Sequence, residues 1–122
     1  MVLEVKEIAL REGYVEATLE GAADRAPYNY DVVYGAIATA CGGCNCPQVL
    51  IDRTAVKGEA TGMLQQVAGE YIASTFPYGA RIALLVSESL PPYRLEAAAA
   101  GRGKTLRIFW GRDKALKWLL KN

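Results

Sequence analysis

Gln48-Val49-Leu50-Ile51-Asp52 decides the fold, because it is a short apolar run that ends on a carboxylate. A run of this length and composition is typical of a buried strand whose carboxyl end opens into a loop. Upstream, the apolar residues between Val33 and Cys41 recur at helical spacing, and downstream those between Met63 and Ile72 do the same. A buried strand between two helices indicates strand-helix-strand units and therefore a largely parallel sheet.

Further strands are predicted on either side of this unit. Val2–Leu10 and Tyr14–Leu19 alternate between apolar and polar residues around a turn at Glu12-Gly13. This pattern predicts an antiparallel pair of strands. Ile82–Val86 and Leu106–Trp110 are predicted to be the later strands of the same sheet.

The predicted helices are bounded by capping and breaking residues. Gly42-Gly43 is expected to end the first helix, Thr61 is a good N-cap for the second, and Pro91-Pro92 introduces a third. A final helix is expected around Asp113, which would cap it or stabilise its start by charge. The leucines of that helix expected to face inward are Leu116, Leu119 and Leu120. The resulting order is β-β-α-β-α-β-α-β-α, an α/β fold with a mixed, largely parallel sheet of about five strands.

Length and composition indicate one small soluble domain. The chain has 122 residues, 52% of them hydrophobic, which predicts a single domain over residues 1–122 with a sizeable core. Fourteen basic against thirteen acidic residues give a net charge of +1, which argues against nucleic acid as a partner. Neither an export signal nor a transmembrane segment is predicted, so a cytoplasmic protein is expected. The chain has no histidine, which removes the commonest general base and predicts a protein that is not an enzyme.

Three cysteines form the sharpest chemical signal. Cys41, Cys44 and Cys46 lie in one C-x-x-C-x-C segment, a spacing that can place three thiolates around a soft metal ion or allow thiol exchange. A structural zinc site usually needs four ligands, and no histidine is present to supply the fourth. The alternative is that Cys41 packs inward from its helix and the other two thiols are incidental. No cofactor is expected beyond this soft metal.

The predicted element order resembles that of the STAS superfamily. The residues that carry the resemblance are Val49-Leu50-Ile51-Asp52 in the centre and the segment from Phe109 to Leu119, which reads FWGRDKALKWL. More narrowly, the chain resembles small stand-alone STAS-like proteins, the SpoIIAA-like relatives of bacterial anti-sigma-factor antagonists. The resemblance implies a sheet packed against helices, no catalytic machinery, and a regulatory role in binding a partner protein or small ligand.

The resemblance also implies a candidate phosphorylation site. In the antagonists, an Asp-Ser-Ser-Gly-like tetrad opens the second helix and its second hydroxyl accepts a phosphate from a partner kinase. This chain has Glu59-Ala60-Thr61-Gly62 at that place, so Thr61 falls on the acceptor position, Glu59 replaces the acidic residue, and Ala60 lacks a hydroxyl. An ordinary N-cap is the alternative role for Thr61. A phosphate there would be favoured by the amides and dipole of a helix start.

Two candidate binding surfaces follow from these expectations. The first is the loop after the central strand and the start of the second helix, where the candidate contact residues are Asp52, Arg53, Thr54, Glu59 and Gly62. Ligands and partners commonly meet such loops at the carboxyl ends of parallel strands. The second is an aromatic groove for a small molecule or lipid beside Tyr30 and Tyr34. The phenylalanine and tryptophans near the C-terminus are compatible with an aromatic patch for a partner or for a homodimer.

Overall fold

Five strands lie side by side in one sheet, in chain order. They are β1 (Glu4–Arg11), β2 (Tyr14–Ala22), β3 (Gln48–Lys57), β4 (Arg81–Leu85) and β5 (Thr105–Phe109). β1 pairs antiparallel with β2, and every later neighbouring pair is parallel. The mixed, largely parallel five-stranded sheet predicted from the sequence is therefore confirmed.

The computed structural model describes residues 2–22, 29–57, 69–72, 74–76, 79–86 and 105–121. Within them, α1 (Tyr30–Cys44) and α2 (Arg112–Leu119) are helices, and residues 69–72 and 74–75 are also helical. The helix expected after Pro91-Pro92 lies outside the described residues. No helix among the described residues combines the length and apolar character needed to span a bilayer.

The sheet has two differently covered faces, which alternate along each strand as expected for a pleated backbone. The first face carries Val49 and Ile51 and packs against α1 and the helical residues 69–72, forming the larger core cluster. The second face carries Leu50, and α2 covers it there with Ala115 and Leu119 in a smaller cluster. α2 packs over β3, β4 and β5, and Tyr14 at the start of β2 also packs against this cluster.

β3 is longer than its apolar run predicts. We expected the strand to end at Asp52 and a loop to begin at Arg53, but β3 continues to Lys57. The reason is tertiary: β2 extends beyond Leu19, and Ala55, Val56 and Lys57 pair with its last residues after a register shift. Arg53 and Thr54 are therefore strand residues, and the prediction that they belong to a loop is wrong.

α1 also ends later than predicted. Gly42-Gly43 does not stop it, and the helix runs to Cys44. Asn45 ends it by adopting the left-handed conformation, with φ 54° and ψ 41°. Glycine inside a helix costs only about 1 kcal/mol, whereas a left-handed residue redirects the chain.

The final helix buries a different set of residues from the one predicted. Leu119 is buried and Leu116 is partly buried, but Leu120 is 46% exposed, so its predicted inward position is wrong. The helix ends at Leu119, and Ala115 takes the second buried position. Asp113 lies in the first turn, and no side-chain hydrogen bond caps the helix, so its contribution there is one of charge.

Candidate functional site

A network of charged side chains crosses the second face of the sheet beside α2. Glu16 of β2 and Asp52 of β3 both point to this face, since Glu16 lies opposite Leu50 and Thr18 lies opposite Asp52. Arg112, the first residue of α2, reaches both carboxylates. We call Glu16, Asp52 and Arg112 the ion-pair network.

Arg112 makes a bidentate contact with the carboxylate of Glu16. Its Nη1 donates to Oε1 at 3.1 Å and its Nη2 donates to Oε2 at 3.2 Å. Nη2 also donates to Oδ2 of Asp52 at 3.1 Å. Arg11 adds a longer contact, 3.5 Å from its Nε to Oε1 of Glu16. The Glu16 hydrogen bonds and the two carboxylate charges raise the pKa of Arg112, so the guanidinium stays protonated.

Asp52 is held from both sides. Its Oδ1 accepts hydrogen bonds from the backbone amide of Thr54 at 2.9 Å and from the Thr54 hydroxyl at 2.6 Å, while Oδ2 faces Arg112. Both oxygens of the Asp52 carboxylate are therefore engaged in hydrogen bonds. The network therefore fixes the start of α2 against β2 and β3.

A cleft opens at the carboxyl edge of the sheet, where β5 passes into α2. It has a volume of about 690 Å³ and is lined by residues 108–114. Trp110 lies in it with 54% of its surface exposed. Arg112, Asp113 and Lys114 are also exposed and give the cleft a charged rim. We call this feature the Trp110 cleft.

The other aromatic side chains near the C-terminus are packed. Phe109 and Trp118 lie with ring centroids 5.6 Å apart beside the smaller core cluster. The guanidinium of Arg81 lies 4.6 Å from the centre of the Trp118 ring, and it donates hydrogen bonds to the carbonyls of Trp118 and Lys121. Trp110 is thus the strongly exposed aromatic side chain of this region.

The predicted contact residues are only partly gathered at this edge. Asp52, Arg53 and Thr54 lie in the middle of β3, whereas Glu59, Thr61 and Gly62 lie outside the described residues. Arg53 has a buried Nε that has no hydrogen-bond partner within the described part of the chain. Asp52 is the predicted residue that the structure brings into the ion-pair network.

The tyrosines predicted to line a groove belong to the core. Tyr30 is 7% exposed and Tyr34 is 2% exposed, with ring centroids 6.4 Å apart. Both are members of the larger core cluster. The Trp110 cleft and a second cleft near the end of α1 are lined by other residues. Ligand binding beside Tyr30 and Tyr34 stays a prediction that would require these rings to move.

The three cysteines lie together in sequence but face different surroundings. Cys41 is buried, Cys44 is exposed and Cys46 is half-buried, and all three are free thiols. Among the residues that the structure describes, no group of three or more cysteine or carboxylate side chains is arranged to hold a metal ion. The three-thiol metal site remains a sequence-based prediction.

Sequence reasoning did not single out Glu16 or Arg112. A weak signal for each was present, since Glu16 is the charged member of an apolar and polar alternation between Val15 and Ala17, and Arg112 lies three positions after the end of the last strand. Their partnership spans 96 positions of the chain, which no local pattern reports.

No protein-family model and no curated protein matches the chain. Among solved structures, it is similar to an uncharacterised protein of the DUF3478 family from Shewanella loihica PV-4, which has a SpoIIAA-like fold. The two chains are 19% identical, the match covers 96% of this chain and 93% of the other, and the TM-score is 0.56. The fold is therefore SpoIIAA-like, as the resemblance implied. A fold of this kind does not by itself assign an activity.

Proposed function

We propose that this SpoIIAA-like chain is a non-enzymatic regulatory or binding domain that acts through protein interaction at the carboxyl edge of its sheet. The observation that carries the proposal is the Trp110 cleft, where an indole ring is 54% exposed beside a charged rim. The contact surface would combine this cleft with Asp52, Arg53 and Thr54 in the middle of β3. A cytoplasmic location and a bacterial origin belong to the same proposal.

The energetics favour a protein partner at this cleft. Leaving a large apolar side chain in water forgoes about 1.5–3 kcal/mol of burial free energy, which binding can recover. Tryptophan and arginine are also enriched among the residues that dominate binding energy at interfaces. Because Glu16 and Asp52 already hold Arg112 in place, docking would order few additional side chains at the rim.

Phosphorylation of Thr61 is the finer part of the proposal and rests on the resemblance. A phosphate would add a charge of about −1.5 to −2 at a position two residues after the acidic Glu59 and directly before Gly62. Arg53 lies on the strand that leads into this segment, and its buried Nε has no partner among the described residues. We propose that a phosphate here changes which partner the carboxyl edge accepts.

A small ligand in the Trp110 cleft is a second candidate function. Its volume of about 690 Å³ falls within the range of about 300–1,000 Å³ that is usual for ligand sites. Native mass spectrometry distinguishes the two functions, because a bound ligand adds a mass that denaturation releases. That mass should be missing from Trp110→Ala if the cleft holds the ligand.

The experiment that tests the proposal compares partner capture by three forms of the chain. Wild type, Trp110→Ala and Val32→Ala are tagged and expressed in the source organism, and the captured proteins are quantified. Val32 is the matched control, since it is 65% exposed but lies on α1 away from the cleft. A specific partner should be retained by wild type and Val32→Ala and lost at least about tenfold by Trp110→Ala.

Equal capture by all three folded forms would contradict the proposed surface. Circular dichroism and thermal unfolding establish that Trp110→Ala is folded before capture is compared. Phosphopeptide mapping of the same wild-type sample tests the finer proposal. The mapping is done under conditions where the partner is bound and under conditions where it is released. If Thr61 is unmodified in both, phosphorylation of Thr61 is not the switch.

A further inference from the structure

The end of α1 holds its three cysteines in a Schellman motif, a backbone reversal that terminates helices. The amide of Asn45 donates to the carbonyl of Gly42 at 3.3 Å, and the amide of Cys46 donates to the carbonyl of Cys41 at 3.0 Å. This reversal returns Cys46 to the turn that contains Cys41 and Cys44. Three thiols in different environments therefore lie at one helix end.

Cys41 is the unreactive member of the group. It is 1% exposed and is part of the larger core cluster. Burial, followed by the neighbouring Cys44 and Cys46, raises the pKa of its thiol from 9.0 to about 12. The thiolate is the reactive form of cysteine, so Cys41 stays protonated and inert at neutral pH.

Cys44 and Cys46 instead line a common cleft of about 390 Å³, together with Arg11 and other residues of the β1–β2 turn. Each sulfur donates a weak thiol hydrogen bond, at 3.6 Å from Cys44 to the carbonyl of Cys41 and at 3.5 Å from Cys46 to that of Gln48. Rotation about each Cα–Cβ bond releases these contacts.

The surface of this turn is open among the described residues. At both Gly42 and Gly43, an added Cβ would meet no heavy atom of the described residues within 4 Å. Cys44 itself is exposed. Arg11 also lines the cleft, and its Nε lies 3.5 Å from Oε1 of Glu16.

We propose that Cys44 and Cys46 form a modification site at which a hydroperoxide is reduced and an intramolecular disulfide is made. The thiolate of Cys44 attacks the terminal peroxide oxygen, so an S–O bond forms, the O–O bond breaks, and the alkoxide or hydroxide leaves and takes up a proton. The thiolate of Cys46 then attacks the Cys44 sulfur, so the S–S bond forms and hydroxide leaves and is protonated to water. Two thiols thereby lose two electrons in total, and the peroxide gains them.

The choice of this pair over a pair that includes Cys41 follows from burial. Cys41 lies in the core and holds its proton, whereas Cys44 and Cys46 both line the second cleft and are separated by one residue whose left-handed backbone turns the chain. This inference is independent of the proposed protein interaction, because it uses the opposite edge of the sheet and needs no partner.

The test is oxidation of the full chain by hydrogen peroxide, followed by unfolding, alkylation of the remaining thiols and intact-mass measurement. Wild type should keep one alkylatable thiol, and Cys41→Ser should keep none while losing the mass of two hydrogen atoms as a monomer. Cys44→Ser and Cys46→Ser should give no bridged monomer. Dithiothreitol should restore all thiols.

Fragmentation of the oxidised wild-type chain locates the alkyl group and does not depend on whether Cys41→Ser folds. The expected position is Cys41. Alkylation at Cys44 or Cys46, oxidation to sulfinic acid without a bridge, or a bridge only between two chains would each overturn the proposal.

Discussion

Replacing Arg112 by methionine removes the guanidinium that joins the start of α2 to β2 and β3. The arginine makes hydrogen bonds of 3.1 and 3.2 Å to Glu16 and of 3.1 Å to Asp52. Methionine keeps a long, unbranched side chain with high helix propensity, so the change isolates the loss of charge and hydrogen bonds. The carboxylates stay behind with only 11% and 14% of their side chains exposed.

The size of the effect lies between two limits. Exposed ion pairs contribute about 0.2–1 kcal/mol, whereas removing one partner of a buried pair costs about 3–5 kcal/mol. Arg112 is 41% exposed, so solvent screens the pair, but the carboxylates have little access to water. We therefore expect the free energy of unfolding to fall by about 2 kcal/mol, and Tm by about 8 °C for a domain of this size.

Urea and thermal unfolding measure this change. Lys114→Met is the matched control, because Lys114 is exposed in the same helix. A double-mutant cycle with Glu16→Gln isolates the pair, and the cost of Arg112→Met should fall by at least about 1 kcal/mol in that background. If Arg112→Met unfolds with the same free energy as Lys114→Met, or if the cycle shows no coupling, the ion-pair network does not stabilise the fold as argued.

Four further substitutions probe the backbone, a buried thiol and the end of α2. Gly21→Ala should destabilise the chain by about 2 kcal/mol or more in urea unfolding, because φ is +100° and the new Cβ would overlap a backbone carbonyl of the N-terminal segment. Gly42→Ala, where the space is open, should instead stabilise α1 by about 0.5–1 kcal/mol. Because the fold raises the pKa of Cys41 to about 12, the stability contributed by its protonated thiol is fully present below pH 9.0 and is lost as the pH rises toward 12. The free energy of unfolding should therefore fall by up to about 1.4 kcal/mol per pH unit between these values, and Cys41→Ala should reduce this slope. Arg81→Lys should speed amide exchange at the end of α2, because lysine cannot repeat the two guanidinium hydrogen bonds to its carbonyls.

Much of the fold was predictable because its signals are local. The apolar run from Val49 to Ile51 and the alternation in Tyr14–Leu19 identified strands whose neighbours the structure confirms. Parallel pairing followed from the helices between the strands. The boundaries were less predictable, since β3 gains its last residues from the extension of β2 and α1 ends at a left-handed asparagine beyond two glycines.

The candidate site was predictable only in part. Asp52 could be anticipated, because a carboxylate after a buried strand lies at the carboxyl edge of a parallel sheet. Its partner Arg112 is 60 positions away, and only the path of α2 over the second face brings the two together. The burial of the tyrosines of α1 could not be predicted from their spacing either. Helical periodicity indicates which side of a helix is apolar, but it does not indicate how deeply the rest of the protein covers that side.

By itself, the sequence determined the order of the five strands, the largely parallel sheet and the position of the three cysteines along the chain, because each depends on periodicity or on neighbours along the chain. The tertiary structure alone decided that Glu16 and Asp52 both bind Arg112. It also decided that Trp110 stays exposed while Trp118 is packed, and that Cys41 is buried in the core. Those outcomes depend on which distant surfaces cover one another, and that information resides in the packing of the whole domain.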